Sequence, residues 1–252
     1  MGDLIKGIVV ASSRKKGGIC LVVFEPKEKK FYRIISMNSD REDHELSIDE
    51  CTYKDGQVIN NLDFVELMVD SKKYISDEYQ HENVVLRKGT KIIKAQDDKV
   101  TKNKLIEFYG GENKLNEPKG IFINNYSSMT MQEAKKSNCS FLLVKVFGLK
   151  FYTTQNRHGE PTCKCSFKYN GIFYEDIHVT ISHTKEEDIR KYANKSYPNG
   201  LVCFSFGHPF DGPNGVKCFK YLCSFLGYFP YNKNSRKKGD GNGKPLLDWL
   251  FE

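Results

Sequence analysis

The 252-residue chain holds a single tryptophan and six histidines. Its apolar runs all fall short of the roughly 18–20 residues that a membrane-spanning helix needs. The start, MGDLIKGIVVASSRKK, has neither the apolar core nor the small-residue cleavage site of a secretory signal, so a cytoplasmic protein without a membrane partner is expected. Eight cysteines are present, but no C-x-x-C spacing occurs and no histidine stands near a cysteine pair at zinc-like spacing. The one close pair, Cys163 and Cys165, is a C-x-C in an alternating strand, which puts both thiols on one face as buried small hydrophobes. Nucleophile-elbow, Walker A and H-E-x-x-H patterns are missing as well. No metal, cofactor or catalytic constellation is therefore expected. The acidic stretch SDREDHELSIDE, with His44 among Asp40, Glu42, Asp43 and Glu50, is the one place where a metal-dependent nuclease could be sought. Its spacing matches no calcium loop, and a solvated loop accounts for it.

What is present is an ordinary globular composition, 39% hydrophobic and 28% charged, with a net charge of +7. That charge is unevenly placed: residues 1–33 carry +5, 34–70 carry −8, 71–120 carry +3, 121–231 carry +5 and 232–252 carry +2. A partitioned surface of this kind suits a polyanion partner held on one side, with residues 34–70 turned away from it. The hydrophobic pattern is mainly that of strands. Gly7–Ser13, Gly18–Pro26 and Lys29–Ser36 read as a meander, followed by Leu62–Val69 and Asn83–Ala95. VTKNKLIEFYGG is a short helix stopped by Gly110 and Gly111.

After a polar stretch from Glu112 to Gly120 the pattern restarts with IFIN, Ser140–Thr154 and Pro161–Ser182. In the last of these Asn170-Gly171 marks a tight hairpin. A helix begins near Thr184, with Glu187 three residues on as in a capping box, and the runs LVCFSFGHPF and VKCFKYLCSFLGYF complete the second unit. The expected architecture is mostly β with short α: one small barrel over 1–115, a second over 116–231, and a Gly/Asn/Lys-rich linker over 232–252 ending in PLLDWLFE.

The segment ASSRKKGGIC places Ser13, Arg14, Lys15 and Lys16 beside two glycines between two strands. Flexible backbone N–H groups and cations converging there suit a phosphate. The same residues suit a solvated hairpin turn, and composition leaves both readings open. Further cations recur at Arg87, Lys88, Lys91 and Lys94. In the second half Lys145, Lys150, Lys164 and Lys168 are interleaved with Phe147, Phe151, Tyr152, Phe167, Tyr169, Phe173 and Tyr174. Alternating cations and rings on a barrel strand can present stacking platforms beside phosphate contacts.

These residues resemble a family. GIVVASSRKKGGICL, then FYRIIS and ELS, is similar to the opening of the prokaryotic dual OB-fold domain, through Ser13, Arg14, Lys15, Gly17, Gly18, Cys20, Tyr32, Arg33, Ser36, Glu45, Leu46 and Ser47. Gln80, His81, Glu82 and Asn83 look like that family's H-Q-x-E-N-W element, with Val84 in place of the aromatic. SFKYNGIFYEDIHVT, CFSFGHPF and VKCFKYL look like its later hairpin and strands. The resemblance implies two tandem OB barrels, no catalytic activity, and nucleic-acid or nucleotide sensing in antiviral defence. The leading expectation is thus a non-catalytic binder of nucleic acid, single-stranded favoured. Ser13, Arg14, Lys15, Lys16 and Arg33 would track the backbone, and Lys164, Lys168 and Tyr169 would serve on the second barrel. The alternative is an adaptor recruiting a protein partner through Leu246, Leu247, Trp249, Leu250 and Phe251, a short aromatic and acidic terminal peptide.

Overall fold

The structure is a computed structural model that describes residues 2–15, 17–37, 44–73, 79–95, 99–117, 120–212 and 215–229. Lys16, Asp40, Glu42 and Asp43 of the acidic stretch, and the terminal peptide with Leu246, Leu247, Trp249, Leu250 and Phe251 lie outside the described residues. Among those described, no helix is long and apolar enough to cross a membrane.

The first half contains β1 (Asp3–Lys15), β2 (Gly18–Glu25), β3 (Lys30–Ile35), β4 (Phe64–Val69), β5 (Asn83–Val85) and β6 (Ile93–Lys94). β1 pairs with β2 and β4, β2 with β3, and β3 runs parallel to β5. The end of β5 returns to β4 through a bridge from Leu86 to Val69 and the bond from Asp70 N to Val85 O at 3.0 Å. The five strands therefore close in the cyclic order 1-2-3-5-4, the connectivity of an OB-like barrel, with β6 added outside β4. Gly7 is required on β1, because a Cβ there would lie 2.5 Å from the Phe24 carbonyl oxygen across the ladder.

A helix, α1 (Lys102–Tyr109), is capped by Thr101 and ends, as its sequence predicts, at Gly110 with φ 113°. The second half then comprises β7 (Ser128–Thr130), α2 (Met131–Lys136), β8 (Phe141–Gln155), β9 (Pro161–Tyr169), β10 (Ile172–Val179), α3 (Lys185–Tyr192), β11 (Ser196–Phe206), β12 (Phe210–Gly212) and β13 (Gly215–Phe225). Sheet order is β10-β9-β8-β11-β13, and β10 closes on β13 in parallel through His178 with Tyr221 and Val179 with Leu222. Taken as strands one to five of their own unit, β8, β9, β10, β11 and β13 repeat the cyclic order of the first barrel. Asn170 and Gly171 take positive φ at the β9–β10 turn, as a two-residue hairpin of this hand demands. Thr184 caps α3 by accepting from Glu187 N, while the Glu187 carboxylate pairs with Lys191.

IFIN is not a strand. Gly120–Phe122 forms one 3-10 turn that places the Phe122 ring 4.8–6.0 Å from those of Tyr174, Phe204, Tyr169 and Phe167. The linker between the barrels thus plugs the second one. Beneath that plug the fully buried Lys220 donates to Asn124 O and Oδ1, both at 2.8 Å.

Three cores result. One fills each barrel, around Ile5, Leu21 and Tyr32 in the first and Cys163, Cys165 and Phe167 in the second. The third lies between them: Ile8, Val10, Val22 and Phe24 pack with Leu105, Phe141, Leu143, Leu201 and Cys203. This explains why GIVVASS and GICLVVF are near-continuous apolar runs. Their strands are buried on both faces, as strands sandwiched between two layers are.

Candidate nucleic-acid interface

In an OB barrel the outer face of strands two and three, flanked by the loops after strands one and four, is where oligonucleotides are held. In the first barrel this face is covered. The outward side chains of β2 and β3 are Cys20, Val22, Phe24, Phe31 and Arg33, and all of them face the second barrel. Arg33 is 2% exposed; its Nη2 donates to Ser140 O at 3.2 Å, to Ser140 Oγ at 3.0 Å and to Ser205 Oγ at 3.0 Å. Glu82 accepts from Ser140 N at 2.9 Å and from Ser140 Oγ at 2.5 Å, so the buried cation and carboxylate share one hydrogen-bonded seam. Arg33 is an inter-barrel clamp, which corrects its expected role on a nucleic-acid backbone.

The SRKK turn is placed the same way. Ser13 is buried, and Arg14 N donates to Ser182 O at 3.3 Å. The Arg14 guanidinium donates to Thr184 O at 3.0 Å, to Val179 O at 2.8 Å and to the Asp188 carboxylate, which also accepts from Ser182 N at 2.7 Å. Burial pushes the Asp188 carboxyl up, and the Arg14 charge opposes that shift. Beside it His183 Nε2 meets Ser12 Oγ at 3.2 Å, and desolvation lowers the His183 pKa. Arg14, with Ser12 beside it, therefore fastens β1 to the start of α3 and the segment before it, while Ser13 is buried and Lys15, half-buried, follows at the end of β1. The start of the first barrel is spent on the junction.

The described part of the acidic stretch is also structural. Glu50 accepts from Ser36 Oγ at 2.7 Å and Ser47 N at 2.8 Å, and Glu45 is buried. Among the described residues, no group of three or more His, Cys, Asp or Glu is placed to hold a metal ion. Burial raises the Cys163 thiol to about 12, far from a reactive thiolate.

Among the described residues, the corresponding face of the second barrel is open. On β9, Cys163, Cys165, Phe167 and Tyr169 point into the core, while Lys164 and Lys168 point out, with the small side chains of Thr162 and Ser166 buried on their side of the strand. Tyr169 is 2% exposed and its hydroxyl donates to Glu117 O at 2.6 Å, which removes it from the expected ligand face. Phe151, Phe167 and Tyr174 are core residues as well. Outward, the register places Tyr152 opposite Lys164, Lys164 opposite His178, and His178 opposite Tyr221. Asp176 accepts from Lys164 Nζ at 3.1 Å and Tyr152 Oη at 3.2 Å, and the lysine holds its carboxyl low. His178 lies 6.4 Å from the Phe219 ring and 6.2 Å from that of Tyr221. Burial and neighbouring Lys164 depress its pKa.

Two loops flank this face. The turn after β8 is built by Asn156, whose Oδ1 accepts from His158 N at 2.9 Å and Glu160 N at 3.0 Å, and Lys185 of α3 anchors Glu160 at 3.0 Å. It carries Arg157, whose guanidinium stands 6.0 Å from the centroid of Phe210, the first residue of β12 in the connection after β11; Phe210 is in turn 6.2 Å from Phe219. Arg157, Phe210 and Phe219 were not among the sequence candidates. They become visible only once strand order shows which loops border the face. Two shallow depressions elsewhere, of about 240 and 190 Å³, lie on the first barrel beside Lys54 and Lys94 and beside Arg87 and Lys91. An extended strand lying on a sheet needs no such cavity.

Two closed barrels of one connectivity, joined through a buried seam that covers the strand-two and strand-three face of the first, define a tandem OB-type fold. The chain belongs to the dual OB-containing domain family, which it matches over residues 5–224. No curated protein matches it. Among solved structures, it is similar to a HINa domain in complex with 20 bp dsDNA, at 13% identity and a TM-score of 0.30, covering 87% of this chain and 90% of that one. It is also similar to a chain from a study of the molecular basis for abrogation of activation of pro-inflammatory cytokines, at 13% identity and a TM-score of 0.32, with 87% and 92% covered.

Proposed function

We propose that this protein is a non-catalytic module that binds an unpaired nucleic-acid strand on the outer face of β9 and β10. The observation that carries the reading is the alternation of rings and cations on that one open face: Tyr152, Lys164, His178 and Tyr221 in register, with Arg157, Phe210 and Phe219 at its loop end. Stacking on these rings requires bases that are not paired, and it tolerates any sequence. Cations between the rings serve the phosphates. Sensing foreign nucleic acid in a defence setting is the use that fits such a module, with the first barrel as its rigid support.

Fluorescence anisotropy with labelled single- and double-stranded oligonucleotides at two salt concentrations tests this. Single strands should bind more tightly than duplex, and affinity should fall as salt rises. No binding of a single strand at low salt would sink the proposal. Incubation of a labelled strand with Mg²⁺ or Mn²⁺ should leave it uncut.

A further inference from the structure

The open face has a second row, at its other end. Phe147, Lys168 and Phe173 stand opposite one another across β8, β9 and β10. Phe147 is 44% and Phe173 50% exposed, with Ile172 beside them at 47%. Lys168 is exposed and has no acidic partner among the described residues. Lys150, also exposed, lies between the rows opposite Ser166.

Strand periodicity alone does not produce this arrangement. Lys164 and Lys168 are four apart on β9 and share a face. Their partners on β8, Tyr152 and Phe147, are five apart, as are His178 and Phe173 on β10, and an unbroken strand would turn one of each pair inward. Each flanking strand carries a bulge in the interval, between Phe147 and Lys150 on β8 and between Tyr174 and Ile177 on β10. Gly148 takes φ 58° in the first, where glycine is at no disadvantage. Asp176 takes φ 58° in the second, a conformation unfavourable for a residue with a Cβ. Two separate irregularities, one of them strained, turn Phe147 and Phe173 out of the barrel and onto the face of the first row. Bulges that re-aim side chains in this way are features of binding sites.

We propose that the Phe147–Lys168–Phe173 row is a second stacking station for the same strand, so that the ligand is an oligonucleotide spanning both rows rather than a mononucleotide. The rows are about 13 Å apart along β9. This rests on the reading of the face as a nucleic-acid track.

The test is a length series, from thymidine monophosphate through oligothymidylates of increasing length, measured by competition anisotropy at low salt on the full chain. Wild-type affinity should climb with length until both rows are spanned. The Phe147→Ala/Phe173→Ala double variant should melt like the wild type and bind the shortest ligands equally well. It should bind long strands at least about tenfold more weakly. Lys168→Ala, a change at an exposed side chain, should also weaken long strands selectively. An identical length dependence in wild type and double variant overturns the second station, as does an equal loss at every length. If the wild type itself binds no strand of any length, the functional reading has failed first and the station falls with it.

Discussion

Replacing Arg33 by Met decides between two incompatible roles for that side chain. Methionine keeps most of the volume of the stem but removes the charge and the donors to Ser140 and Ser205. Glu82, 8% exposed, would stay buried against Ser140 without the cation of its own network. Removing one member of a buried charged network costs about 3–5 kcal/mol; the serine hydroxyls can re-pair locally, so the lower end, about 3 kcal/mol, is expected. For a chain of this size 1 kcal/mol moves Tm by about 2–4 °C, so melting should fall by roughly 6–12 °C. Adding Glu82→Gln should recover part of the loss by removing the stranded carboxylate. Circular dichroism during urea and thermal unfolding is the suitable assay, because the only tryptophan, Trp249, lies in the terminal segment. Oligonucleotide affinity, measured well below the new Tm, should stay within about threefold of wild type. A stability loss under about 1 kcal/mol, or a large loss of affinity at unchanged Tm, would refute the clamp and return Arg33 to the ligand.

Four other expectations follow from the same contacts. Lys168→Ala should flatten the dependence of log K on log salt by about 0.7, one phosphate contact on a single strand, as read from titrations between low and moderate salt. Burial lowers the Lys220 ammonium to about 8; the unfolded chain then binds more protons between about 8 and 10.5, so this residue's contribution to stability rises with pH across that window. Comparing urea midpoints of wild type and Lys220→Met at pH 7.5 and 9.5 isolates it: the wild type should gain about 2 kcal/mol on its variant, each unit being worth about 1.4 kcal/mol. His183 and His178 have lowered folded-state pKa values, so acidification below about 6.5 protonates the unfolded chain first and should lower Tm; His183→Gln should show a smaller drop between pH 7 and 5.5. Tyr169→Phe removes the hydroxyl that donates to Glu117 O, at a cost of about 1 kcal/mol in chemical denaturation, and should leave oligonucleotide affinity unchanged.

Much of the strand architecture was legible in the sequence because its signals are local. The Asn170-Gly171 turn, the Thr184 cap, the stop at Gly110 and the inward C-x-C pair all depend on neighbours within a few residues. What local signals cannot show is which outer face another barrel covers. Arg14 and Arg33 have the composition of phosphate contacts, and only the seam of Ser140, Ser205 and Asp188 reveals their use. One hint was present: in FYRIIS the arginine sits within a continuous apolar run, which suits a strand buried on both faces better than one facing solvent. Phe147 and Phe173 were among the rings named from sequence. Their separation from the buried Phe151, Phe167, Tyr169 and Tyr174 needed the two bulges, and of these only Gly148 left a trace in residue type. Phe122 was misread as part of a strand because its run is apolar, whereas its role as a plug is set by the open end of the second barrel.

The proposed track holds an unpaired strand on the open face of the second barrel and not at the SRKK turn of the first. Hydrogen–deuterium exchange of the full chain, with and without a saturating oligothymidylate, addresses it directly. Protection is expected over residues 143–179 and 208–221, with the segment 11–35 unchanged. Protection confined to 11–35, with the β9–β10 hairpin exchanging as in the free protein, would contradict it.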